Sequence, residues 1–161
     1  YIPMAVFNRG DAERDGDLKD MLQEISETFV YSTGQHELIT DLGDTKVMVK
    51  ADAPRIEQAV LNLLSNAIKY SPLAENVYLK LAMEGGKAIV SVRDEGIGLT
   101  PYQQKQVFSR FYRAESTKGI NGLGLGLYLT KQIIDAHKGE LSVKSEVGKG
   151  SEFSFSLPIL D

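Results

Sequence analysis

Apolar positions Leu18, Leu22, Ile25 and Phe29 recur three and four residues apart, which places them on one face of a helix. Asp17 stands just before them with an N-cap side chain, and the pattern ends near Gly34. Residues 1–16 (YIPMAVFNRGDAERDG) hold no sustained period and end in charge and glycine, so they read as an incoming linker to a domain over 17–161. Short alternating runs, HELITD and KVMVK, predict strands. Pro54 then opens a second helix with Asp52 or Ala53 at its N-cap. VYLKLAM and KAIVSVRD, parted by Glu84-Gly85-Gly86, predict a hairpin. Thr100-Pro101-Tyr102-Gln103 has the capping-box arrangement of a third helix running to about Arg113. A fourth helix is expected from about Leu125 to Lys138, stopping at Gly139. ELSVKSE and SEFSFSL close the chain as strands around Gly148-Lys149-Gly150. Helices and hairpins are segregated more than alternated, so the expected class is α+β: a two-layer α/β sandwich with a mixed, mainly antiparallel sheet and helices packed on one face.

The chain has 161 residues, enough for one domain with a real core. Its 18 basic and 22 acidic residues are interspersed, with no basic run to meet a phosphate backbone, so no nucleic acid is expected as partner. The absence of cysteine excludes disulfides and thiolate metal sites, and two separated histidines make no zinc cage. No apolar run approaches the roughly 20 residues that cross a bilayer, so no membrane contact by this domain is expected. The start at Tyr1 reads as that of a fragment, whose parent can carry a membrane segment elsewhere.

Three stretches carry candidate chemistry. In NLLSNAIKY, at about 100° per residue, Arg55, Gln58, Asn62, Ser65, Asn66 and Lys69 share a stripe opposite Ile56, Val60, Leu63, Leu64, Ala67 and Ile68. Such a face can simply meet water. Yet asparagine is a weak helix former, and two stacked amides followed by an ammonium offer oxygen ligands for a hard cation shared with phosphates, such as Mg²⁺. In RDEGIGL, Asp94 ends a strand where a carboxylate would accept from a donor such as an exocyclic amine, and Gly96 and Gly98 allow a sharp turn and close approach of a flat ligand. An ordinary strand-to-loop turn would look similar. NGLGLGL, before the fourth helix, fits neither the dinucleotide fingerprint nor the Walker A loop. Its glycines leave backbone N–H groups and a positive helix end open to a polyphosphate, or form a hinge; with AESTKGING beside them, hinge and clamp can coexist as a lid.

Together these stretches resemble the nucleotide-binding domain of sensor histidine kinases, of the Bergerat type shared with type II topoisomerases, mismatch-repair MutL proteins and heat-shock chaperone ATPases. QAVLNLLSNAIKYSP resembles the N box, DEGIGL the G1 box, FSRFYR the F box and GLGLGL the G2 box, and GKGSEFSFSLP is similar to the closing strand. The resemblance runs from about residue 17 to 158 and implies ATP and Mg²⁺ as cofactors. It implies that Asn66 coordinates Mg²⁺ with Asn62 beside it, that Lys69 reaches phosphate, and that Tyr70 lies by the nucleotide. It further implies that Asp94 binds the adenine amine over Gly96 and Gly98, that Arg113 meets the γ-phosphate side, that Gly122, Gly124 and Gly126 hold phosphates, and that Ser151 lies near adenine. Phe108 and Phe111 read as lid packing. Glu95 and Ser151 depart from the commoner Asn or Thr and Thr.

The catalytic set implied is Asn62, Lys69 and Arg113, in a protein-histidine kinase. Where the hydrolytic branches usually carry glutamate, Asn62 cannot take a proton, so water is not the expected acceptor. Neither His36 nor His137 stands in an acceptor context, and both read as structural. The resemblance therefore implies a monomeric catalytic half, on the cytoplasmic side, that phosphorylates a histidine on a dimerisation and phosphoacceptor hairpin of the same parent, with a response regulator downstream. Alone it should bind ATP and transfer little. A serine-directed anti-sigma kinase, or a nucleotide-binding regulatory module, would carry the same boxes.

Overall fold

The computed structural model describes residues 12–30, 36–71, 76–109 and 125–160. Arg14–Asp17 (β1) pairs antiparallel with Met48–Ala51 (β3) in a two-stranded sheet. Residues 14–16 are therefore strand and not linker: an isolated four-residue run has no legible period, and it is the pairing with β3 that orders it.

Leu18–Val30 (α1) follows directly. Asp17 Oδ1 accepts from Lys19 N at 3.0 Å, satisfying an open N–H of the first turn, and from Val47 N at 2.9 Å, tying the helix start to the approach to β3. The second helix, Ala53–Lys69 (α2), has Asp52 at its N-cap and a proline in its first turn, as expected. Ile56, Ala59, Val60, Leu63, Leu64 and Ala67 form its buried face.

The main sheet runs β2 (Glu37–Asp41), β4 (Asn76–Glu84), β5 (Lys87–Asp94), β7 (Gly150–Pro158), β6 (Leu141–Glu146). Among the described residues of this sheet only β2–β4 is parallel; β4–β5, β5–β7 and β6–β7 are antiparallel. The mixed, mainly antiparallel α+β sandwich is thus present. Ala88, Val90, Val92 and Asp94 of β5 and Ser151, Phe153, Phe155 and Leu157 of β7 alternate onto the face that meets the helices. Gly85 and Gly86, with φ 57° and 78°, make the predicted hairpin turn between β4 and β5.

Two helix ends differ from expectation. Thr100 does form a full capping box, but the helix Pro101–Gln106 (α3) stops well short of Arg113 and passes into turns at 107–109. Six residues are too few to hold a helix by propensity, and its anchor is Phe108 edge-on to Phe153 at 6.0 Å. Leu125–Ala136 (α4) ends two residues early, because Lys138 takes the left-handed conformation (φ 62°) and Gly139 N donates to Ile134 O at 3.0 Å. Gly139 serves the strand behind it: a Cβ there would strike the Ser156 carbonyl.

Candidate functional site

The polar stripe of α2 is only partly open to water: Ser65 and Lys69 are exposed, whereas Arg55, Gln58, Asn62 and Asn66 are half-buried. Asn62 Nδ2 donates to the Gly126 carbonyl and to Thr130 Oγ1, both at 3.3 Å, and the Thr130 hydroxyl donates to the same carbonyl at 2.7 Å. Thr130 is fully buried. The asparagine amide thereby bonds α2 to the first turn of α4, the end of the glycine-rich stretch. Asn66, one turn on, keeps Nδ2 buried with no hydrogen-bond partner among the described residues. Burying an unsatisfied N–H costs about 1–3 kcal/mol, and an anionic oxygen is the partner that would relieve it. Lys69 is exposed at the helix end, where its ammonium can reach out to charge.

Tyr70 caps α2, and its carbonyl accepts from Ile97 N at 3.1 Å. This bond docks α2 onto the loop after β5. Gly96 and Gly98 are required by that docking: a Cβ on Gly96 would strike the Tyr70 carbonyl, and one on Gly98 (φ 72°) the Glu146 carbonyl. The close approach expected of a ligand is thus made first by the chain's own backbone. Gly148 N completes the link by donating to Ile97 O at 2.8 Å.

Asp94 lies at the centre of this junction, 2% exposed. Its Oδ1 accepts from Gly96 N at 2.9 Å and from Ser151 N at 3.3 Å, leaving Oδ2 as the acceptor available to a ligand. Desolvation raises its pKa above the ordinary carboxylate value; the two backbone hydrogen bonds and the Arg93 charge pull the other way and do not cancel it. Ser151 is 6% exposed beside it. A shallow pocket of about 320 Å³ at this end is lined by Asp94, Ser145 and Ser151 together with the charged residues Arg93, Lys144 and Glu152.

The fold thus brings Asn62, Asn66, Lys69, Tyr70, Asp94, Gly96, Gly98, Gly126 and Ser151 onto one end of the helix–sheet interface. Arg113, Gly122, Gly124 and Phe111 lie outside the described residues. Thr130 and Ser145 are added by the structure. A buried threonine in an apolar helix stretch was the available sign of the first, whereas Ser145 sits in an ordinary alternating strand. Among the described residues no group of three or more His, Asp or Glu side chains could hold a metal.

Residues 51–161 match the family described as histidine kinase-, DNA gyrase B- and HSP90-like ATPase. The chain belongs to this ATPase family. It is 36% identical over 146 residues to the sensor histidine kinase RppB of Synechocystis sp., covering 88% of this chain and 32% of that protein. It is 37% identical over 139 residues to the sensor histidine kinase WalK of Bacillus subtilis, covering 83% of this chain and 23% of that one. The fold superposes on the mycobacterial sensor histidine kinase MprB with a TM-score of 0.79 at 28% identity, covering 91% of this chain and 97% of that one. The chain therefore spans about a third or less of the two curated relatives, and corresponds to the histidine-kinase ATPase domain within them. No helix among the described residues is long and apolar enough to cross a membrane.

Proposed function

We propose that the chain binds Mg-ATP and serves as the catalytic domain that delivers the γ-phosphoryl group to a histidine on a dimerisation and phosphoacceptor domain of its parent kinase. A response regulator would then receive the phosphate. The observation that carries the reading is Asp94: a buried carboxylate, held by backbone N–H groups on one oxygen, suits the exocyclic amine of adenine on the other. The unpartnered Asn66 amide suits a ligand rich in phosphate oxygens, with its carbonyl available to Mg²⁺. Bound Mg²⁺ would neutralise charge developing on the phosphates. Lys69 would add to this at the α2 end, and Arg113 and the glycines at 122, 124 and 126 are assigned to the phosphate side by their motifs.

Asn62 favours transfer to a protein acceptor over hydrolysis. Its N–H₂ donates to the Gly126 carbonyl, a contact a glutamate could not make, and an amide cannot deprotonate water. The acceptor is best sought outside the chain. His137 is buried, with Nδ1 donating to Ile133 O at 2.8 Å and Nε2 accepting from Asp52 N at 3.0 Å, and His36 Nε2 donates to Ser71 O at 2.8 Å. Calorimetric titration with ATP, with and without Mg²⁺ and against GTP, tests the reading. Micromolar, adenine-selective binding is expected, and equal affinity for ATP and GTP would overturn the assignment of Asp94.

A further inference from the structure

Ser145, on β6 directly opposite Ser151 of β7, belongs to none of the motif assignments, yet its hydroxyl joins three segments around Asp94. It accepts from Leu99 N at 2.6 Å, donates to Gly150 O at 2.9 Å and meets Ser151 Oγ at 2.7 Å. A serine hydroxyl has one hydrogen and two lone pairs. A backbone N–H can only donate and a carbonyl can only accept, so the Ser145 hydrogen lies on Gly150 and one lone pair faces Leu99. For all three bonds to hold at once, Ser151 must donate to the remaining lone pair. The Ser151 hydrogen is therefore turned away from the site, and its oxygen keeps only acceptor capacity.

Ser151 neighbours Asp94 across the β5–β7 ladder and its N–H donates to Asp94 Oδ1, so Ser151 Oγ and the Oδ2 of the ionised carboxylate are adjacent side-chain groups that can only accept. An amine with two hydrogens satisfies such a pair. A carbonyl oxygen would face lone pairs on both sides.

We propose that Ser145 is a positioning residue for nucleotide specificity: by holding the Ser151 hydrogen it makes this end of the site select a 6-amino purine over a 6-oxo purine. The inference rests on the adenine reading of Asp94. Without the Ser145 hydroxyl, Ser151 is free to rotate its hydrogen toward a carbonyl, and the rejection of 6-oxo purines relaxes.

The test is equilibrium binding of ATP and ITP to the full 161-residue chain, since the two differ in whether the purine carries an amine or a carbonyl at the 6 position. The unsubstituted chain should prefer ATP. Ser145→Ala should narrow the ATP/ITP ratio by roughly fivefold to tenfold, the worth of one hydrogen bond, chiefly through tighter ITP binding. Ser145→Thr, which keeps a hydroxyl, should retain the ratio. Ser145→Cys, close in volume but a weak hydrogen bonder, should narrow it and serves if the alanine variant does not fold. Parallel weakening of both nucleotides in the Ala or Cys variant, with the ratio unchanged, would overturn the proposal and leave Ser145 a structural strut. Absence of any ATP preference in the unsubstituted chain would instead overturn the adenine reading beneath it.

Discussion

Asp94 gathers the residue-scale physics of the site. Its raised pKa means that folding disfavours its charge, so its contribution to stability is full below the unfolded pKa and is lost as pH rises through the folded value. Asp94→Asn should therefore stabilise the ligand-free chain relative to the parent sequence more at pH 7 than at pH 4, as read by urea midpoints. A ligand that donates to the carboxylate has the opposite sign. Adenosine affinity should be full above the raised pKa and fall as pH drops through it, and Asp94→Asn should abolish that acidic limb while lowering affinity. A limb that survives in the variant would place the titration on another group. One turn along α2 from the helix-bonded Asn62, Asn66→Ala should weaken binding of Mg-ATP more than binding of metal-free ATP; equal losses in calorimetry would argue against ligation there.

At the scale of elements, the loop after β5 and the turn between β6 and β7 act as one piece. Gly98 has φ 72° and a Cβ there would also strike the Glu146 carbonyl, whereas Gly148 has φ 83° with open space around it. Gly148→Ala should cost about 1–2 kcal/mol for the left-handed backbone alone. Gly98→Ala should cost distinctly more, because the backbone must also separate, and it should depress nucleotide affinity as Asp94 shifts. Equal midpoint shifts for the two variants would mean that the loop yields freely. The helices show the same dependence on neighbours. The apolar stripe of α2 was legible at 3.6-residue spacing and is the buried face observed, and Leu63→Ala, from a fully buried position, should cost about 2–5 kcal/mol. The early ends of α3 and α4 were not legible: α3 passes into turns beside Phe108, which meets Phe153, and α4 ends at the left-handed Lys138.

For the whole molecule, the relevant fact is that both described histidines are engaged within the fold while the chain covers only 32% of RppB and 23% of WalK. Mixing the chain with the phosphoacceptor hairpin of its parent and labelled ATP should place label on the hairpin histidine. Label on His36 or His137 would overturn the division of labour proposed above, and label on a hairpin serine would favour serine-directed transfer.

The sequence by itself determined the α+β class, the order of strands and helices, the apolar face of α2 and the family, because periodicity, turn residues and motif spacing are local properties of the chain. It also pointed to Asn62, Asn66 and Asp94 as residues with unusual chemistry for their places, and the family resemblance added Ser151. Only the tertiary structure decided what those residues touch. That Asn62 bonds α4, that β3 orders residues 14–16, that Gly96 and Gly98 make room for the protein's own carbonyls, and that Ser145 orients Ser151 all depend on segments far apart in sequence. A hydrogen bond is directional and a steric limit is absolute at short range, so neither can be read until the partner segment has a position in space.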